Sequence, residues 1–147
     1  MLTTPHSMAG AAIGALLPNP IVVIPLSIGS HFVLDSIPHW QETLAPYIPT
    51  KKTYIRIPID IALAITLVWL VAHWQPNHIS TIWLGATMAN APDLDVIMVL
   101  VPRLKQGLLK KYWDWHCKIQ QETSSMWGVL TQLIVIAASL AVVYETR

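Results

Sequence analysis

The chain has 147 residues, 12% of them charged, and a mean hydropathy of +0.50, which excludes an ordinary soluble surface and fits one membrane-embedded domain over residues 1–147. A net charge of +1 without a long basic run excludes nucleic acid as a partner. One cysteine, Cys117, excludes an intrachain disulfide; beside His116 but without a Cys-x-x-Cys companion, it reads as a small buried apolar residue.

Thr4 reads as an N-cap and Pro5 as the first helical residue of a short apolar helix ending at Leu17. The segment before it lacks a positive n-region, so it does not read as a signal peptide. Pro18-Asn19-Pro20 forces a turn, and a second helix runs from Pro20 to Ile37 with a bend at Pro25. These two helices are short for full spans and read as an N-terminal hairpin, with Gly10, Ala11, Ala12, Gly14 and Ala15 as a surface for close packing in lipid. Residues 38–56 read as a loop carrying Pro46, Pro49, Lys51, Lys52 and Arg56. Pro58 opens a third helix to Trp74, and residues 75–78 are a turn. A fourth helix covers 79–101 with a break near Asn90, caused by Pro92. Residues 107–121 place Leu108, Leu109, Tyr112, Trp115, His116 and Ile119 on one face of an amphipathic interfacial helix. The last helix, 124–144, is the clearest span. The fold class is therefore all-α: a polytopic helical bundle of one hairpin, three further hydrophobic helices and one interfacial helix.

Lysine and arginine sit in the 38–56 segment and in residues 102–118, and are absent from the turns at Pro18 and at 75–78. The positive-inside rule makes the basic side cytoplasmic. Trp74 and Trp83 then flank the outer turn, and Trp40, Tyr54, Trp113, Trp115 and Trp127 lie at the inner interface.

Ionisable residues inside such helices are functional candidates, because burying them in hydrocarbon costs several kcal/mol. Counted from the outer turns at about 1.5 Å per residue, His6 and His31 lie roughly 16 Å deep, and Asp35, Asp60 and Asp93 roughly 21–22 Å deep. Antiparallel connectivity thus brings them to one layer near the inner interface, which His116 and Gln120 of the surface helix close. His31-x-x-x-Asp35 puts an imidazole and a carboxylate on one helix face, able to reach one ion or simply to hydrogen-bond each other. His39 continues that series beyond Pro38, with its direction open. Asp93 and Asp95 follow Pro92 and exceed what capping needs, whereas Asp60 near a helix start suits either a site or an ordinary N-terminal acid. His73 and His78 belong to the opposite face.

The metal set expected from this layer is His6, His31, Asp35, Asp93 and His116, with His116 and Asp95 as catalytic candidates and Glu122 as a rival to Asp95 for general base. Thr4-Pro5-His6, Ser30-His31-Phe32-Val33-Leu34-Asp35, Ala91-Pro92-Asp93-Leu94-Asp95 and His116 resemble the small bacterial membrane-bound metal-dependent hydrolase family. The His-x-x-x-Asp step is also similar to the all-helical zinc-dependent phospholipase C and P1 nuclease. The resemblance implies a divalent cofactor, zinc first, a lipid or small phosphoester substrate, and a site near the cytoplasmic face of the inner membrane. Only His116 matches the family's later pair of histidines, and Gln120 stands where the phospholipases carry Glu. These departures keep a second expectation open, a non-catalytic membrane protein with a structural metal or a buried polar network.

Overall fold

Small residues decide which helix lies at the centre. α1 (Thr3–Leu16) buries ten of its fourteen residues against four other helices. A Cβ on Gly10 would lie 2.1 Å from the Gly85 carbonyl oxygen, and one on Gly85 equally close to that of Gly10. Only paired glycines permit this crossing with α4 (Ile79–Asn90). Polar side chains fix the same crossing at both ends: Thr81 Oγ1 donates to the Gly14 carbonyl at 2.7 Å, and Asn90 Nδ2 to Ser7 Oγ at 2.8 Å. Met8, Ala11, Ala15, Val68, Val71 and Ile82 make up most of the core between them.

The computed structural model describes residues 1–41 and 50–146, and among these the regular structure is all helical. α2 (Pro20–Asp35) carries Pro25 internally. α3 (Lys51–Trp74) and α7 (Ser125–Glu145) are the two described helices long and apolar enough to cross a membrane. Only 22% of the most apolar window of each is buried inside the structure. Ile59, Ile65, Trp69, Leu133 and Ile134 stand exposed along them. An exposed apolar surface of this kind marks a site of interaction with a membrane or another protein.

Near Asn90 the fourth helix gives way to a 3-10 segment, Ala91–Val96, where Pro92 removes a backbone donor. A single turn, α5 (Ile97–Leu100), follows. Gly107, at φ +55°, turns the chain into α6 (Gly107–Ile119).

Several expectations are corrected. α3 begins seven residues before Pro58, because Thr50 and Thr53 form a reciprocal capping box; Lys51, Lys52 and Arg56 therefore ride on a helix. Thr4 is not the cap of α1; Leu2 holds that position, and its side chain caps nothing. α2 stops at Asp35, two residues before the expected Ile37. Trp113, expected at the lipid interface, is buried with Lys105 Nζ 4.7 Å from its ring centre. α6 rolls accordingly: Trp113 and His116 face inward, while Leu108, Leu109 and Trp115 remain exposed. Cys117, read as a buried apolar residue, is exposed. The part of the expected 38–56 loop that carries Pro46 and Pro49 lies outside the described residues.

Candidate metal centre

Three elements deliver the four residues of the cluster. α2 contributes His31 and Asp35 from successive turns, the 3-10 segment contributes Asp93, and α6 contributes His116. A backbone clasp holds the last of these in place. Gln121 N donates to the Asp35 carbonyl at 3.0 Å, His39 N to the Gln121 carbonyl at 2.9 Å, and Thr123 N to the His39 carbonyl at 3.0 Å. The chain leaving α2 is thereby tied to the chain leaving α6.

One donor atom from each of His31, Asp35, Asp93 and His116 lies within 4.8 Å of every other. His31 Nε2 is 3.1 Å from Asp35 Oδ2, 3.1 Å from His116 Nε2 and 3.5 Å from Asp93 Oδ1, and His116 Nε2 is 3.2 Å from Asp35 Oδ2. Bonds of about 2.0–2.1 Å in a tetrahedral site put ligand atoms roughly 3.3–3.5 Å apart, close to these separations.

Hydrogen bonds fix which nitrogen faces inward. His31 Nδ1 lies 2.7 Å from the Ala89 carbonyl, which only accepts, so Nδ1 carries a proton and Nε2 is the nitrogen turned to the cluster. His116 Nδ1 lies 2.6 Å from Asp95 Oδ2 and donates in the same way. A carbonyl or carboxylate behind each imidazole is the arrangement that orients metal-bound histidines. Burial, the largest influence on His116, pushes its pKa down, but hydrogen bonds to Asp35 and Asp95 outweigh it and leave the ring pushed up to about 9. Tyr112, whose hydroxyl donates to the Pro92 carbonyl at 3.2 Å, is pushed up to about 12 by burial and then by Asp95 and Asp93.

The remaining candidates occupy definite but different places. His6 stacks on His31 with ring centres 4.0 Å apart, and its Nε2 meets Asp35 Oδ1, not Oδ2, at 3.1 Å. It thus stands outside the four-atom set on the far oxygen of the shared carboxylate. The Met1 amino group is 2.5 Å from that oxygen as well. His6 Nδ1 is buried without a hydrogen-bond partner. Asp60 accepts from Thr3 N at 2.7 Å, Thr4 N at 3.2 Å and Thr4 Oγ1 at 2.6 Å. It therefore caps α1 from α3, resolving its open assignment toward structure. His39 is buried, with Nδ1 donating to the Ile37 carbonyl at 2.8 Å, and burial holds its pKa below the usual value. Gln120 Oε1 accepts from Gln41 Nε2 at 2.6 Å, and Glu122 Oε1 from the same group at 3.1 Å. His73 stacks on Trp69 near the other end of α3, away from the cluster.

His31 and Asp35 are fully buried, whereas the Asp93 side chain is 38% exposed. Asp93 marks the open side, and a cavity of about 270 Å³ leads away from it, lined by Asp93, Asp95, His116, Gln120, Glu122 and Asp60 among others. Comparison of the chain with protein-family models, curated proteins and solved structures finds no match.

Proposed function

We propose that this chain is a polytopic membrane protein and a divalent-metal-dependent hydrolase, zinc being the first candidate, acting on a lipid-type phosphoester at the cytoplasmic face of a bacterial inner membrane. The observation that carries the metal reading is the pair of locked tautomers. His31 and His116 both keep Nδ1–H for a fixed acceptor, so two imidazole Nε2 atoms and two carboxylates converge on one point. The Met1 ammonium pairs with the far Oδ1 of Asp35, so the four inward-facing atoms still need protons or a second cation to be stable in a buried layer.

A divalent ion in this set would lower the pKa of a coordinated water and polarise a phosphoryl oxygen. The protein's own residues divide the remaining tasks. His31, Asp35, Asp93 and His116 bind; Asp95 orients His116, and His6 orients Asp35 from its other oxygen. Asp95 is thus a positioning residue, and Glu122, exposed beside the cavity, is the carboxylate placed to accept a proton from an incoming water. The basic residues of early α3 and of α6, and the exposed Leu108, Leu109 and Trp115, suit an anionic inner leaflet. The motif resemblance points to the same family of chemistry.

The engagement of Asp95 with His116, and of Glu122 with Gln41, also suits the second reading, a structural metal in a non-catalytic membrane protein. Metal analysis of the purified protein, followed by phosphodiester turnover, separates them. Bound metal with turnover supports the hydrolase, and bound metal without turnover supports the structural site. A wild-type protein holding no metal ends both.

A further inference from the structure

A second cavity, of about 310 Å³, runs between α1, α3 and α4 and is lined mainly by apolar side chains, among them Ile61, Ala64, Ile65, Val68, Trp83 and Leu94. It adjoins the polar cavity at the metal cluster, and Thr3 lines both. The division between them follows two elements. Along α3, Ile57 and Asp60 face the polar cavity, and Ile61 to Val68 face the apolar one. Within the 3-10 segment, Asp93 and Asp95 line the polar cavity while Leu94 lines the apolar one. We infer that the apolar groove holds one hydrocarbon chain of an amphiphile whose phosphate-bearing headgroup occupies the polar cavity beside Asp93 and His116.

The dimensions select this occupant. Ile61 to Val68 span about 10 Å by helix rise, so 310 Å³ leaves a cross-section of roughly 30 Å². A helix about 10 Å across needs roughly 80 Å², more than twice this, so the groove suits a slimmer guest than a helix of a second copy or of another protein. A hydrocarbon chain fits, and the groove's outer lip is already lipid-like: Ile61, Ile65 and Leu94 are 41%, 53% and 71% exposed. The groove covers about a third of a hydrocarbon core roughly 30 Å thick, so it grips the chain nearest the headgroup and leaves the rest in the bilayer. The headgroup's place as well as its fate rests on the hydrolase reading, because Asp60, Asp93, Asp95 and Glu122 line that cavity and only a bound cation would reconcile them with a phosphate; chain binding does not.

The test uses the full chain in phosphatidylcholine nanodiscs with phosphatidylglycerol carrying a diazirine in one acyl chain. Labelling at Ile61 and Leu94 is expected to saturate with probe, while labelling of Leu133 and Ile134 on the outer face of α7 rises linearly, as bulk lipid contact does. Thr87→Trp and Ile65→Trp, two plugs that touch none of the metal-binding residues, are expected to abolish the saturable labelling and leave the α7 labelling and metal content at wild-type levels. Linear labelling at the groove, or saturable labelling that survives both plugs in protein with unchanged metal content, overturns the proposal. Saturable, plug-sensitive labelling in a protein without metal or turnover keeps the groove and sinks the hydrolase. Metal and turnover with only linear labelling do the reverse.

Discussion

The Nε2 atoms of His31 and His116 face each other across 3.1 Å, and each ring has already committed its Nδ1–H to a fixed acceptor behind it. Both Nε2 atoms also face Asp35 Oδ2, to which they donate when protonated and beside which they can ligate a cation that replaces those protons. That relationship makes the metal reading experimentally sharp.

His31→Ala and Asp35→Ala are expected to lose metal together, while His73→Ala and His78→Ala keep wild-type stoichiometry. The first two sit fully buried in the cluster, and the second two lie at the opposite end of the bundle. Stability should fall by about 1–3 kcal/mol in the first pair, since each leaves a buried polar group unpaired. Elemental analysis decides it; wild-type metal content in His31→Ala and Asp35→Ala would remove both residues from the site.

Asp95→Asn is expected to weaken metal binding about 10–100-fold without abolishing it, the usual effect of removing the group behind a ligating histidine. Competition with a fluorescent chelator measures this. An unchanged affinity would mean that the 2.6 Å contact with His116 Nδ1 orients nothing that matters to the ion.

Affinity for metal should depend on pH in one direction. His116 is raised to about 9, so below that value its ring is protonated and must release a proton to bind. Apparent affinity is therefore expected to rise roughly tenfold per pH unit from about pH 7 to 9 and then level off. Asp95→Asn, which removes one of the groups raising His116, should move the bend to lower pH. A flat profile over this range would contradict the assignment of His116 as a ligand.

Gly10→Ala is expected to destabilise the protein by at least the about 1–3 kcal/mol typical of overpacking, because its Cβ would meet backbone that cannot swing aside. Gly29→Ala is the matched control. Nothing lies within 4 Å of a Cβ there, and alanine in a helix interior is favoured by roughly 0.5–1 kcal/mol. Thermal unfolding in detergent compares them, and equal effects would place the α1–α4 crossing elsewhere.

Cysteine labelling tests the topology. In a Cys117→Ser background, Lys51→Cys and Asn77→Cys, both at exposed positions, should react from opposite sides of the membrane. Reaction of both from one side would overturn the proposed arrangement of α3.

Counting residues down antiparallel helices puts His6, His31, Asp35, Asp60 and Asp93 near one level, because rise per residue is nearly constant and the turns at 17–20 and 75–78 are marked by proline. Level is not azimuth. The count could not tell that His6 meets the far oxygen of Asp35, or that Asp95 turns to His116 instead of standing free as a base. Asp60 eluded assignment for a different reason: the amides it accepts from are 56 and 57 residues away, so no local spacing records them. The early start of α3 was legible in Thr50-x-x-Thr53, but Pro58 is the stronger signal by rank and drew the boundary to itself. Trp113 shows the limit of amphipathic patterning, since an aromatic near an interface may equally well fill a gap between helices, and only packing chooses.

The clasp between residues 35–39 and 121–123 has a consequence for assembly. Asp35 and His31 are made early in the chain, Asp93 later, and His116 last, on a helix that joins the rest only when Gln121 and Thr123 reach the strand-like stretch after α2. The centre therefore cannot close until nearly the whole chain has been synthesised. An interruption anywhere before α6 leaves His31 and Asp35 without the ring that completes their coordination, and leaves the backbone carbonyls of Asp35 and His39 without donors. On the proposed metal reading, loading would report finished synthesis, since a copy ending before α6 lacks His116 and with it one of the four ligands.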